Sequence, residues 1–248
     1  MKKFLLSLLA LSILSIAVIA NAKSIRIGTE GAYPPWNNIN TAGELEGAEI
    51  DFGNEACKRM GVDCEWVTQD WDGIIPALLA RKYDAIIASM SITEDRLKVV
   101  DFSNKYYSNV LAFVGPAGKT MDTSKAGLKG LVLGAQRSTI AGQTLEDNYG
   151  DVVDVKLYDT QDNAYLDLAA GRIDGILSDK FPAYDWLQTE DGAKFEFKGE
   201  DLDIDDEIGI AIRKGDKLKE KLNKALDAIV ANGTYKEINA KYFPFDIY

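Results

Sequence analysis

Asp84-Ala-Ile-Ile-Ala-Ser-Met-Ser-Ile-Thr-Glu-Asp-Arg96 decides the fold of this 248-residue chain. It reads as a short buried strand, Ala85 to Ala88, that runs into Ser89, Met90 and Ser91 and then into a helix start at Thr93. Arg96 follows one turn into that helix. A strand end beside a helix start gathers free backbone N–H groups, hydroxyls and one forked cation, a set suited to a carboxylate. The pattern returns further along, where Ala169-Ala-Gly-Arg-Ile-Asp-Gly-Ile-Leu-Ser-Asp179 echoes Leu79-Ala-Arg-Lys-Tyr-Asp-Ala-Ile-Ile-Ala-Ser89. The second copy ends on Asp179 where the first ends on Ser89. One copy offers a cation and the other an anion, and together they suit a zwitterion.

Outward from the two copies, strands and helices alternate. Strand Ile25–Gly28, a helical stripe over Ile50–Met60, strand Cys64–Thr68 and a helix over Asp72–Ala80 precede the first copy. Tyr107–Gly115 is a long apolar strand with the character of a hinge. A second series then begins with strand Leu131–Gly134, helix Thr139–Tyr149, strand Val152–Tyr158, helix Thr160–Ala170, strand Ile173–Leu177 and helix Phe181–Gln188. A strand near Ile208–Ile212, a helix Lys217–Ala231 and a short helix capped by Thr234 close the chain. Alternation of this kind predicts an α/β fold of mostly parallel sheets flanked by helices. The expected architecture has two lobes joined by two hinge segments, with 23–110 and 208–248 in the first lobe and 111–207 in the second. Ligands of open parallel sheets sit beyond the carboxyl ends of the strands, where both echoed segments finish.

Bulk properties narrow the function. Lys2 and Lys3 lead an apolar run that ends in Ala20-Asn21-Ala22, the pattern of a secretory signal peptide over residues 1–22. The run is short for a membrane anchor, and no stop-transfer charges follow it. A formal net charge of −11 argues against nucleic acid or an anionic membrane as partner. Cys57 and Cys64 are the only cysteines, and in an exported chain so close a pair reads as a disulfide; a metal pair or a reactive thiol is the weaker alternative. The chain has no histidine, which removes the usual general base and the usual transition-metal ligand. No cofactor and no metal are expected, and Gly134-Ala-Gln-Arg-Ser-Thr139 carries no nucleotide-binding pattern.

Each candidate residue also has a plainer reading. Arg96 suits a surface charge paired with Glu94 or Asp95, and Asp179 suits a helix cap before Lys180. Thr29-Glu-Gly-Ala-Tyr-Pro-Pro-Trp36 reads as a rigid loop that carries Glu30 and the aromatics Tyr33 and Trp36. Trp71 reads as a second loop aromatic, and loop tryptophans are often peripheral core. Yet Tyr33 and Trp71 both follow strand ends of the first series, so two ring faces and a carboxylate come to one cleft. That slot fits a guanidinium or an ammonium.

With these residues assembled, the chain resembles the periplasmic solute-binding proteins of polar amino-acid ABC transporters, and among them the lysine/arginine/ornithine, histidine and arginine/ornithine binders. The resemblance rests on Ile25-Arg-Ile-Gly-Thr-Glu30, the 84–96 stretch, Ala170-Gly-Arg-Ile-Asp174 and the tail Lys241-Tyr-Phe-Pro-Phe-Asp-Ile-Tyr248. It implies a two-lobe clamp on one basic L-amino acid, with arginine ahead of ornithine, lysine and histidine. It also implies a periplasmic location, an inner-membrane permease as partner and no enzymatic activity; a monomer is expected. By the same resemblance Arg96 and Thr139 hold the ligand carboxylate, and Asp179 takes the α-ammonium with Ser89 and Ser91. Met90 lies between those serines and is expected at the site with them. Tyr33 and Trp71 sandwich the side chain, Glu30 pairs with its distal cation, and Gln136 lines the pocket. Departures from the family pattern are Ser138 in place of a common glycine, Ile140 and Ala141 in place of polar residues, the large Trp71, and Glu30 in place of aspartate. Two rivals share the scaffold: an opine receptor, suggested by Glu30, Trp36 and Trp71, and a cyclohexadienyl dehydratase-like enzyme with Glu30 as its acid.

Overall fold

A computed structural model describes residues 23–245 and 247, so the signal peptide expected over 1–22 lies outside the described residues. Elements run β1 Ser24–Thr29, β2 Ala32–Tyr33, β3 Asn37–Ile39, β4 Leu45–Glu46, α1 Ala48–Met60, β5 Asp63–Thr68, α2 Trp71–Leu79, β6 Ala85–Ile86, α3 Glu94–Val99 and β7 Val100–Pro116. They continue with β8 Val132–Gln136, α4 Ile140–Tyr149, β9 Asp154–Tyr158, α5 Gln161–Ala169, β10 Gly175–Asp179, α6 Lys180–Leu187, β11 Phe195–Arg213, α7 Leu218–Ala231 and α8 Thr234–Tyr242. One sheet has the order β5-β1-β6-β11-β7-β10-β8-β9, and β2-β3-β4 form a small second sheet.

The two crossing segments are longer strands than the sequence suggests. β7 has 17 residues and β11 has 19, and they pair antiparallel along most of their length, with register shifts between Lys198 and Asp206. One end of this ribbon meets β6 and the parallel set β6-β1-β5; the other meets β10 and the parallel set β10-β8-β9. Each end has its own buried core. Ile27, Phe52, Ile87, Tyr107 and Ile229 pack in one cluster of the first half and Ile74, Leu78, Tyr83 and Ile86 in another. Leu111, Phe113, Leu133 and Leu145 fill one cluster of the second half, and Tyr165, Ile173 and Ile176 another. This is the two-lobe, mostly parallel arrangement, and the two expected hinge segments are one pair of long antiparallel strands.

The sequence echo has a structural cause. Asp84 accepts the backbone N–H of Arg26 on β1 at 3.2 Å, and Asp174 accepts that of Val132 on β8 at 2.8 Å. In each half the acid of the repeat therefore ties a strand to its parallel neighbour. Burial pushes the Asp84 carboxyl up, but Arg26 and Arg213 overcome this and hold it below the ordinary range. Arg81 and Gly171, at matching places in the two copies, both turn through positive φ (62° and 68°).

Several boundaries differ from expectation. The strand Ala85–Ala88 shortens to Ala85–Ile86 because Ser89 takes φ 50°, which ends the ladder and turns the chain toward the cleft. Trp71 opens α2 instead of lying in the loop before it. Gly233, with φ 85°, occupies the cap position of α8 and Thr234 is its first helical residue. The loop after β1 folds back as β2 and β3, with Tyr33 paired to Asn37. Cys57 and Cys64 form a disulfide that joins α1 to β5, with Cα atoms 5.8 Å apart.

Candidate functional site

Residues at the carboxyl ends of β1, β6, β8 and β10 line a narrow cavity between the two halves. Every residue expected at a site lines it except Met90. Met90 is fully buried with Trp71, Ile74 and Phe102 beneath the cavity. Ser89 and Ser91 line the cavity, and the residue between them is turned into the core. Ala88 and Ile140 complete the lining. Ala141 packs in the core of the second half instead, so only one of the two apolar departures reaches the cleft. Trp36 is also core: it stacks on Tyr107 at 4.1 Å and does not face the cavity.

Arg96 is placed by a cap. Thr93 Oγ1 accepts the Arg96 N–H at 3.2 Å and starts α3, as its sequence predicts. Asp95 pairs with Lys98 and leaves the guanidinium to the cleft, where Nη1 donates to the Ser91 carbonyl at 2.9 Å and Nη2 to the Ser138 carbonyl at 3.0 Å. The guanidinium carbon also lies 5.4 Å from the Trp71 ring centre. Burial pulls Arg96 down to about 10, opposed by the charges of Asp206 and Asp179.

Asp179 comes from the other half. It stands at the cap position of α6 yet makes no side-chain cap bond; its carboxylate accepts the Tyr33 hydroxyl at 2.6 Å instead. Burial, and next the charge of Asp206, raise Asp179 to about 7, while Tyr33, Asn109 and Arg96 oppose the rise. At the far end of the cavity Gln136 Nε2 donates to Glu30 Oε1 at 2.7 Å. Burial raises Glu30 to about 7, with the Gln136 bond opposing and Asp162, Asp70 and Asp72 adding to it. Thr139 spends its hydroxyl locally: Oγ1 donates to the Gln136 carbonyl at 2.7 Å and accepts the Gly142 N–H at 3.1 Å.

Further contacts join the halves beside the cavity. Trp71 Nε1 donates to the Ser138 carbonyl at 3.1 Å, Ser138 Oγ donates to Asp72 at 3.0 Å, and Arg137 pairs with Asp72. Ser138 holds φ 59°, a conformation that glycine adopts freely, so its side chain trades backbone ease for a bond across the cleft.

Sequence reasoning missed Glu49, Asn109 and Asp206. Glu49 is buried under Ser89. Asn109 on β7 donates to Asp206 on β11 at 2.9 Å inside the crossing ribbon. The acidic run Asp203–Glu207 looks like solvated surface, and Asp206 differs from Asp203 and Asp205 in standing where β11 passes from exposed to buried.

A forked cation from one lobe, an acid from the other, and a second acid in the same cavity are the pattern of a two-lobe receptor suited to a small solute with one anion and two cations. The comparisons agree with that class. The model of the bacterial extracellular solute-binding proteins, family 3, matches residues 25–245, and the chain belongs to that family. The L-arginine-binding protein of Pseudomonas aeruginosa is 44% identical over 261 aligned positions, covering 100% of this chain and 99% of the relative. The lysine/arginine/ornithine-binding periplasmic protein of Escherichia coli is 39% identical over 261 positions, with the same coverage. Among solved structures, an ancestral arginine-binding protein bound to arginine superposes with a TM-score of 0.84 at 36% identity, covering 89% of this chain and 98% of the other.

Proposed function

We propose that the chain is the periplasmic substrate-binding component of an ABC transporter. It takes a basic L-amino acid, arginine first, then ornithine, lysine and histidine, and presents it to an inner-membrane permease. The observation that carries this reading is the placement of Arg96 and Asp179 on opposite lobes of one cavity, with Glu30 at its far end. Arg96 and the Thr139 N–H take the carboxylate, and Asp179 with Ser89 and Ser91 takes the α-ammonium. The rings of Tyr33 and Trp71 flank an aliphatic stem that ends on Glu30 and Gln136. Each buried charge then has an opposite partner, without which it would cost several kcal/mol.

We assign 23–110 with 208–248 to the first lobe and 111–207 to the second, bending within the β7–β11 ribbon. The receptor works as a monomer, without cofactor or chemistry of its own. Burial of Trp36 in the core takes away one of the three residues on which an opine reading rests.

A thermal-shift panel of arginine, lysine, ornithine, histidine, glutamine and octopine tests the assignment. The largest upward shift is expected with arginine, because ligand that binds only the folded state stabilises it. A shift with octopine alone overturns it, and turnover of arogenate or prephenate would make the protein an enzyme.

A further inference from the structure

Glu49 lies outside the cavity, is 1% exposed, and gathers four donors on one carboxylate. The Ser89 N–H and Oγ reach Oε1 at 2.6 and 3.2 Å, and the Tyr106 hydroxyl reaches the same oxygen. Asn37 Nδ2 donates to Oε2 at 2.7 Å, and the other end of that amide, Oδ1, accepts the Gly31 N–H at 2.8 Å. One arm of this network therefore ends on Ser89 and the other on the turn that carries Glu30 and Tyr33. Ser89 needs holding, because it sits at φ 50°, a conformation that a residue with a β-carbon rarely keeps unaided. Gly31 takes its φ of 76° freely and is fixed in place by its N–H bond to Asn37. Gly47 lets α1 approach closely enough, since a β-carbon there would lie 2.2 Å from the Trp36 carbonyl oxygen.

We propose that Glu49 is the positioning residue that locks the two ligand-facing segments of the first lobe, 30–33 and 89–91, into one arrangement. It touches no ligand and acts through Asn37 and Ser89. This deepens the proposed function, which it presupposes. The chemistry allows an exchange. In Glu49→Gln the amide keeps its oxygen toward Ser89 and Tyr106, but its NH2 then meets the NH2 of Asn37. Asn37 has no escape by rotation, because turning its amide sets a donor against the Gly31 N–H. Adding Asn37→Asp restores the arm: glutamine donates to one aspartate oxygen and Gly31 donates to the other.

The test is calorimetry with L-arginine on the wild type, Glu49→Gln, Asn37→Ala and the double variant Asn37→Asp/Glu49→Gln, each checked for folding by its melting curve. Loss of a buried bond with one partner left unsatisfied predicts about tenfold weaker binding in Glu49→Gln and in Asn37→Ala. The double variant is expected to return to within about threefold of wild type. Wild-type affinity in either single variant overturns the proposal, as does a folded double variant that stays as weak as Glu49→Gln. If Glu49→Gln does not fold, Asn37→Ala and the double variant decide alone. A wild type that ignores every basic amino acid would instead overturn the proposed function.

Discussion

Replacing Glu30 by glutamine removes one charge at nearly constant volume and tests the side-chain pocket directly. Burial lifts the carboxyl from its ordinary 4.5 to about 7, which amounts to roughly 3 kcal/mol against the ionised form. A guanidinium set against Glu30 recovers that cost through charge-assisted bonds worth about 1.5–3 kcal/mol net, so Glu30→Gln should weaken arginine about 10- to 100-fold. A neutral ligand such as glutamine has no cation to offer and should lose nothing. The sign of the pH effect follows from the raised value. Below about 7 the carboxyl holds its proton, and an incoming cation must displace it. At about pH 5.5 roughly one molecule in 30 is ionised at this position, so wild-type affinity for arginine should fall by up to about 30-fold from its value above pH 7.5. Asp179, also raised to about 7, contributes its own acid limb to both proteins, and the difference between their curves isolates Glu30. Calorimetry with arginine and glutamine at both pH values reads all of this. Equal losses for the two ligands, or parallel pH curves for the two proteins, would refute the argument.

Arg96→Ala should abolish calorimetrically detectable arginine binding, because a ligand carboxylate left alone in a buried site costs about 3–5 kcal/mol; near-native affinity would remove Arg96 from the clamp. Asp206→Asn keeps an acceptor for Asn109 but deletes a charge that raises Asp179. The acid limb of arginine binding should then move to lower pH, and an unmoved midpoint would show that burial raises Asp179 without help from Asp206. The double variant Cys57→Ser/Cys64→Ser opens a loop whose ends are 7 residues apart, at a cost of about 2–3 kcal/mol. Its urea midpoint should fall while arginine affinity stays put, and an unchanged midpoint would contradict the loop-closure argument.

What the sequence made legible was local. Thr93 as cap, Arg96 one turn later, Ser89 and Ser91 at a strand end and Asp179 at its echo each follow from residues a few positions apart, where periodicity and capping rules apply. Even the misplacement of Met90 is local: the turn at Ser89 brings both serines to the cleft and leaves the residue between them in the core. What stayed hidden depends on partners far along the chain. Glu49 reads as an ordinary acid in a first helical turn until Ser89, Asn37 and Tyr106 are folded onto it. Asp206 sits in a run of acids that looks solvated until β11 threads it beside Asn109.

On the proposed function, the buried acids around the cavity would make the cleft select by charge. Among the described residues Arg96 is the one cation lining the cavity; Glu30 and Asp179 line it, and Asp206 stands behind. Burial works against each of these acids being ionised, so the site is short of positive charge before any solute enters. A zwitterion with a neutral side chain brings no net charge to relieve that deficit, whereas a basic amino acid would bring one positive charge and, on the proposed function, place it beside Glu30. Discrimination between arginine and glutamine is therefore expected to vanish at low pH, when the acids neutralise themselves with protons and the cationic solute loses its advantage.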